Sequence, residues 1–280
     1  MHSVKPAPFD YVAPLHVVDA LELLAADAGS VVLAGGQSLL PLLNLRLSRP
    51  SLVVDIKRLD GMSTVQFVGG AVRIGPCVTQ AQALRSPDII EHVPLLAEAL
   101  RHVGNRETRA RGTVAGSVAH SDPVAEIPAA MVALGASYQL TSVDGARVVD
   151  AEDFHLGTYT TQRTGRELIT AVEVPILGRT TRWDFTEVRD GVFALCGLAA
   201  VCGPGRLDGL KLVSFGVGGS PQRLTAVEEV ASYDVRNVRD AVLTTLTGAS
   251  NLARHDDVRA HVLATLVERQ VARFLERRDA

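Results

Sequence analysis

Two short stretches carry the residue types from which a binding chemistry could be built. Residues 31–45 read VVLAGGQSLLPLLNL, and residues 111–126 read RGTVAGSVAHSDPVAE. Gly35 and Gly36 end an apolar run and present main chain with no Cβ in the way; Gly116 sits between Thr113 and Ser117 in the same manner. Consecutive backbone N–H groups at a helix start make a concave, partly positive site suited to phosphate. Residues 34–38 and 113–117 each run into hydroxyl or amide side chains that donate to oxygens, and two such cradles suit a diphosphate. Neither stretch has the G-x-x-x-x-G-K-[ST] spacing or a G-x-G-x-x-G at a first strand–helix turn, so neither a P-loop nor a Rossmann site is supported. The residues alone point to a diphosphate-containing cofactor and equally admit two ordinary tight turns.

Other chemistry-bearing side chains read less specifically. Asp122 and Glu126 could form a carboxylate pair for acid/base work or a two-metal site, but they stand beside a glycine turn with no histidine partner. Asp122 therefore reads as an acceptor for a cofactor hydroxyl or as a helix cap, and Glu126 as structural. His120, flanked by Ala and Ser, reads as structural. Arg106, Arg109 and Arg111 could offset diphosphate charge, although three arginines on an exposed loop is the default. Trp183 reads as core or interface. Cys77, Cys196 and Cys202 are isolated, whereas a zinc site or an iron–sulfur cluster needs about four ligands. They are expected to be buried small hydrophobes, so redox chemistry here falls to an organic cofactor. No nucleophile with an adjacent base is visible.

The elements that must hold these residues follow from patterning. Residues 17–28 place Val18, Leu21, Leu24 and Ala25 on one helical face and end at Gly29. A buried strand leads into Gly35–Gly36, a helix starts near Ser38 with Pro41 in its first turn, and residues 51–56 form the next strand. Gly69–Gly70 and Asp144–Gly145 turn two hairpins. Residues 79–103 are helical and divided by Pro87 and Pro94. PAAMVALGA is a short apolar helix whose start Pro128 leaves open, and LITAVEVPI is a strand closed by Pro175. Past a boundary at about 176–180, residues 192–202 and 210–219 read as antiparallel strands, with helices near 224–231, 236–247 and 256–277.

The 280 residues, 47% of them hydrophobic, allow about two compact units. A net charge of −3 without a basic footprint argues against nucleic acid. No leader-like segment and no run of about 18 apolar residues is found, so a cytoplasmic protein without a transmembrane segment is expected.

Taken together, AGGQSLLPLLNLRLSRPSLVVDI and RARGTVAGSVAHSDPVAEIPAAMVAL resemble the two flavin-binding segments of the FAD-carrying medium subunit of molybdenum hydroxylases. That group includes aerobic carbon monoxide dehydrogenase, nicotine and caffeine dehydrogenases and, as a fused domain, xanthine dehydrogenase. PFDYVAP, GRELITAVEVP and FGVGGSPQRLTAVEE extend the resemblance, in order, over nearly the whole chain.

The resemblance implies an α+β fold: a two-part FAD-binding module of the p-cresol methylhydroxylase type over 1–177 (parts of about 1–56 and 57–177), then a smaller C-terminal domain, 178–280, of antiparallel sheet plus helices. It implies that Ala34, Gly35, Gly36, Gln37 and Ser38, flanked by Val32, Leu33 and Leu39, wrap the FAD diphosphate and ribityl chain. Thr113, Val114, Ala115, Gly116 and Ser117 form the opposite wall, Asp122 accepts from a cofactor hydroxyl, and Ile169 packs near the flavin ring. No catalytic side chain and no metal ligand is expected in this chain.

Three positions depart from the family pattern. Ala115 stands at the first glycine of T-[IV]-G-G-[NS], Gln37 where many relatives have His, and Val192, in EVRDGVFAL, where relatives carry an Asp in a segment that covers the flavin. The expected function is an FAD-carrying electron relay, with [2Fe-2S] clusters in a small partner subunit and the molybdenum cofactor in a large one, as a dimer of heterotrimers. A free-standing flavoprotein of the same fold and a flavin-free scaffold subunit are the alternatives.

Overall fold

Alternate apolar residues in the third strand face two different helices, and this sets the first layer. In the computed structural model, which describes residues 5–191, 193–248 and 256–276, the chain opens with β1 (Asp10–Val12), α1 (Val17–Ala26), β2 (Ser30–Leu33), α2 (Leu39–Asn44) and β3 (Leu52–Asp55). The strands form a parallel sheet in the order β1-β3-β2. Because strand side chains alternate, Val54 packs with Ala20, Leu21 and Leu24 of α1, while Val53 packs with Leu33 and with Leu43 of α2 on the other face. Ser38 is the N-cap of α2, yet its side chain makes no capping bond, contrary to the capping role its type suggests.

The next part is built on β4 (Val65–Val68), β5 (Ala71–Ile74), α3 (Gln80–Ala83), α4 (Pro87–His92), α5 (Pro94–His102), α6 (Arg106–Arg111), α7 (Val114–His120) and α8 (Glu126–Leu134). It continues with β6 (Ser137–Ser142), β7 (Gly145–Asp150), α9 (Ala151–Phe154), β8 (His155–Gly157), β9 (Thr160–Thr161) and β10 (Leu168–Pro175). An antiparallel sheet runs β4-β5-β10-β6-β7, with both expected glycine hairpins in place. Pro87 and Pro94 open α4 and α5, where a missing N–H costs nothing. Pro128 is the third residue of α8, still in its first turn, which resolves where that helix begins. The stretch with Arg106, Arg109 and Arg111 is a helix and not a loop. Its cap is local, the Thr108 N–H donating to Asn105 Oδ1 at 2.8 Å, and its polar composition hides it from apolar periodicity.

The last part pairs β11 (Arg182–Asp190), β12 (Phe193–Cys202), β13 (Lys211–Phe215) and β14 (Gln222–Arg223) in that order, all antiparallel, followed by α10 (Thr225–Tyr233), α11 (Val238–Gly248) and α12 (Asp256–Glu276). β11 is absent from the sequence reading: only one of its nine residues is buried, so its pattern lacks an apolar side. In β12, Ala199 and Val201 face the core that contains α8, while Cys196, Leu198, Ala200 and Cys202 face Val242, Leu263 and Val267 of α11 and α12. All three cysteines are free and buried, and burial pushes the Cys77 and Cys196 thiols up to about 11. Among the described residues, no helix is long and apolar enough to cross a membrane.

Where α5 and α8 meet β11, Glu187 accepts from Arg189 Nε at 2.8 Å and lies 3.0 Å from His102 Nδ1, beside the buried Glu126. Burial, with Glu187 adding to it, pushes the Glu126 carboxyl up to about 7 from 4.5. A raised acid binds its proton more tightly in the folded state, so its contribution to stability is full below 4.5 and is lost as pH rises through about 7. Glu126→Gln should flatten this part of the profile: between about pH 5 and 8 the melting temperature of the variant should fall less than that of the parent. A steeper fall in the variant would contradict the assignment.

Candidate functional site

The two glycine-containing segments meet, and backbone contact is what joins them. A Cβ built on Gly35 would strike the Arg111 carbonyl oxygen and lie 2.6 Å from Gly112 Cα. One on Gly116 would lie 3.8 Å from the Ala34 Cβ. Only glycine at 35 permits this approach, and Gly36, at φ 72°, turns the chain into α2. The second segment is aligned from below by an isolated antiparallel bridge between Thr79 and Thr113, with the Gln80 N–H donating to Gly112 O at 2.8 Å and the Val114 N–H to Val78 O at 3.1 Å.

The two sides are not equivalent. Among the described residues, the backbone N–H groups of Gly35, Gly36, Gln37, Ser38 and Leu39 have no partner, a run of five donors at the head of α2. The Gln37 side chain is turned inward, Nε2 donating to Gly35 O at 3.1 Å, so it braces the turn instead of offering a free amide. The opposite wall is the capped first turn of α7 and not a second cradle of open amides. The Gly116 N–H donates to Thr113 Oγ1 at 2.9 Å and the Ser117 N–H to Thr113 O at 3.2 Å. That wall offers the Ala115 N–H and the half-exposed Ser117 hydroxyl.

Packing locates the remaining expected residues. Ala115 is 4% exposed, and with Val114 its side chain belongs to the central core, so the departure at this position is absorbed inside the protein, away from the cradle. Val32 and Ala34 pack with Leu168 at the start of β10, which brings Ile169 to the same neighbourhood. The Ile169 side chain is 3% exposed and enclosed by the central core, leaving its main chain as the part able to touch a ligand. Leu33 packs with Leu43 of α2, and Leu39, the first residue of that helix, packs against the same small core. Val192 lies outside the described residues.

Asp122 follows Ser121, which ends α7 in the left-handed region at φ 51°. One Asp122 oxygen accepts the Val124 N–H at 3.0 Å, and burial with the nearby Asp122 charge raises the Tyr159 hydroxyl above its usual range. Tyr159 is exposed, packs its ring against the half-buried His120 ring at 4.8 Å and a 36° tilt, and donates its N–H to Ser121 O at 3.1 Å. Behind them, Ser121 Oγ lies 2.9 Å from Nδ1 of buried His155, whose imidazole burial pushes down to about 4, so it is neutral near neutral pH. Tyr159 and His155 escaped sequence reasoning because their links to Ser121 and Asp122 span more than 30 residues and leave no local pattern. Arg109 is consumed by Val103 O and Gly104 O, whereas Arg106 and Arg111 form no ion pair among the described residues.

The model of the family described as "FAD binding domain in molybdopterin dehydrogenase" matches residues 7–177. The nicotine 6-hydroxylase medium subunit of Paenarthrobacter nicotinovorans is 34% identical over 252 residues, covering 89% of this chain and 88% of that one. Among solved structures, carbon monoxide dehydrogenase from Hydrogenophaga pseudoflava matches with a TM-score of 0.90 at 28% identity, over 98% of this chain and 99% of that one. Quinoline 2-oxidoreductase from Pseudomonas putida 86 matches with 0.89 at 29% identity, over 99% and 100%. Fold and sequence thus define an FAD-binding α+β protein. More particularly, the chain belongs to the FAD-binding medium subunits of molybdenum hydroxylases, which are subunits of oxidoreductases.

Gly35→Ala should push residues 111–112 away from the cradle and weaken FAD binding at least about tenfold, or ~1.4 kcal/mol, with the circular-dichroism spectrum unchanged. Titration of the flavin-stripped chain with FAD measures this, and parental affinity in the variant would refute the close-approach argument.

Proposed function

We propose that this chain is the FAD-carrying subunit of a molybdenum-containing hydroxylase, made of a flavin-binding unit over about 1–177 and a C-terminal unit from about 178. In this reading substrate is oxidised at a molybdenum cofactor in a large partner subunit. Electrons arrive through [2Fe-2S] clusters of a small partner subunit and leave to an external acceptor, the whole being a dimer of heterotrimers. FAD, when bound, supplies the redox chemistry; the protein supplies binding, orientation and electrostatics.

The observation that carries the proposal is the row of five unpaired amides at residues 35–39, pressed against residues 111–117 in a chain of this family. Backbone donors on a helix start suit a diphosphate, and the missing Cβ at Gly35 leaves main chain at the surface. Ala34, Gly35, Gly36, Gln37 and Ser38 hold the diphosphate, braced by Val32, Leu33 and Leu39. Thr113, Val114, Ala115, Gly116 and Ser117 close the other side. Asp122, aligned by the Val124 N–H, accepts from a cofactor hydroxyl, and Ile169 contributes main chain near the flavin ring. No side chain of this chain need act as base or nucleophile, because no bond to substrate is made here.

Two measurements test the proposal. Asp122→Asn keeps the acceptor for the Val124 N–H but removes the charge, and should weaken FAD binding about tenfold, or ~1.4 kcal/mol, without lowering the melting temperature. The isolated flavin-loaded chain should oxidise no organic substrate, and its flavin should be reduced only when the partner subunits, carrying molybdenum, iron and acid-labile sulfide, are present. Substrate turnover by the isolated chain would make it a free-standing flavoenzyme instead.

A further inference from the structure

The turn that ends α2 holds apolar side chains out in solvent. The Leu47 N–H donates to Leu42 O at 2.9 Å and the Arg46 N–H to Leu43 O at 3.0 Å, the paired bonds of a Schellman cap. Arg46 takes the left-handed position at φ 57°, where glycine is the usual residue and a side chain is strained. In such caps the apolar residue after that position usually folds back onto the helix. Here Leu47 is 73% exposed, Leu45 62% and Leu40 42%: three leucines within eight residues that join none of the cores. The turn is hydrogen-bonded in place, so their exposure is a fixed feature of the fold.

The rim of this patch is basic. Arg46 Nε donates to Lys5 O at 3.0 Å and Arg49 Nε to Arg46 O at 3.2 Å, which ties Lys5, Arg46 and Arg49, all exposed, into one surface. Residues 39–51 contain no Asp or Glu, and none of the three cations has a carboxylate partner among the described residues. On a chain whose net charge is −3, this is a local basic and apolar surface.

We propose that the turn, residues 45–49, docks a separate protein subunit through an apolar pocket rimmed by carboxylates. Resting on the function proposed above, that subunit is the one that delivers electrons to this chain. α2 begins at the amide row and has six residues, so at about 1.5 Å rise per residue the docked subunit stands roughly 9 Å of helix from the cradle. A second copy of this chain fits poorly, because a two-fold contact brings the same basic patch of both copies together. An anionic membrane surface calls for roughly four to eight clustered cations, more than the three here.

The test uses the chain co-expressed with the other subunits of its complex. Leu45→Asp/Leu47→Asp should leave the flavin content and melting temperature of this chain unchanged and weaken its association with the electron-delivering subunit at least tenfold, read by size-exclusion chromatography and titration. Arg46→Glu/Arg49→Glu should weaken association and reduce its dependence on salt. Val148→Asp, at an equally exposed apolar site on β7, should assemble normally. Parental association by the double-leucine variant overturns the proposal. So does a variant that assembles normally but no longer self-associates or binds anionic vesicles, which assigns the turn to a second copy or to a membrane. Loss of flavin from the double-leucine variant overturns it too, by assigning the turn to the cofactor site. Failure of the parental chain to bind FAD would instead sink the function proposed above and leave docking to be judged by assembly alone.

Discussion

The meeting of the two glycine-containing segments depends on one backbone contact: Gly35 against the main chain of Arg111 and Gly112. No side chain is involved on either side, so the contact tolerates no bulk. It sets the turn after β2 against the junction of α6 and α7, and the donors at residues 35–39 gain a facing wall. The first segment is aimed by a parallel β-α-β unit, which puts its turn at the carboxyl end of β2. The second is aimed by the bridge between Thr79 and Thr113 and by the threonine cap of α7. Neither segment holds this geometry by itself.

The rest of the fold is arranged to keep that contact rigid. α8 is buried along all nine residues and touches the five-stranded sheet on one side and the C-terminal sheet on the other, so residues before 178 and after it share one hydrophobic core. Burial on that scale, at about 25 cal/mol per Å² of apolar surface, couples the C-terminal sheet to α7, whose first turn faces Ala34. The Glu126–Glu187–His102–Arg189 cluster sits at the same seam.

The site's titratable groups serve position. Buried His155 is neutral near neutral pH and holds Ser121, which fixes the chain at Asp122. The cysteines are buried with raised thiol pKa values, as expected of packing residues. A protein built this way, with a row of open backbone donors on a stiff frame, suits an FAD-binding subunit, in which the cofactor carries the reactivity.

Local information in the sequence determined most of the elements. Helix periodicity, proline at the first helical turn, and the Gly69–Gly70 and Asp144–Gly145 hairpins are properties of a few neighbouring residues, and the elements stand where those residues imply, although in α1 the buried face is Ala20, Leu21 and Leu24 and leaves Val18 exposed. The glycine turn at 35–36 and the family resemblance of both segments were likewise readable, because backbone access leaves a compositional mark. Elements without an apolar face, α6 and β11, were not readable, since tertiary packing and strand pairing stabilise them and not their own pattern. Nor did composition reveal that Thr113 spends the amides of the second segment on its own cap, that Gln37 folds inward, or that Ala115 faces the core. Only the tertiary structure decided those points. A hydrogen-bonding group has a limited number of partners, and which partner it takes depends on residues brought close by the fold and remote in sequence.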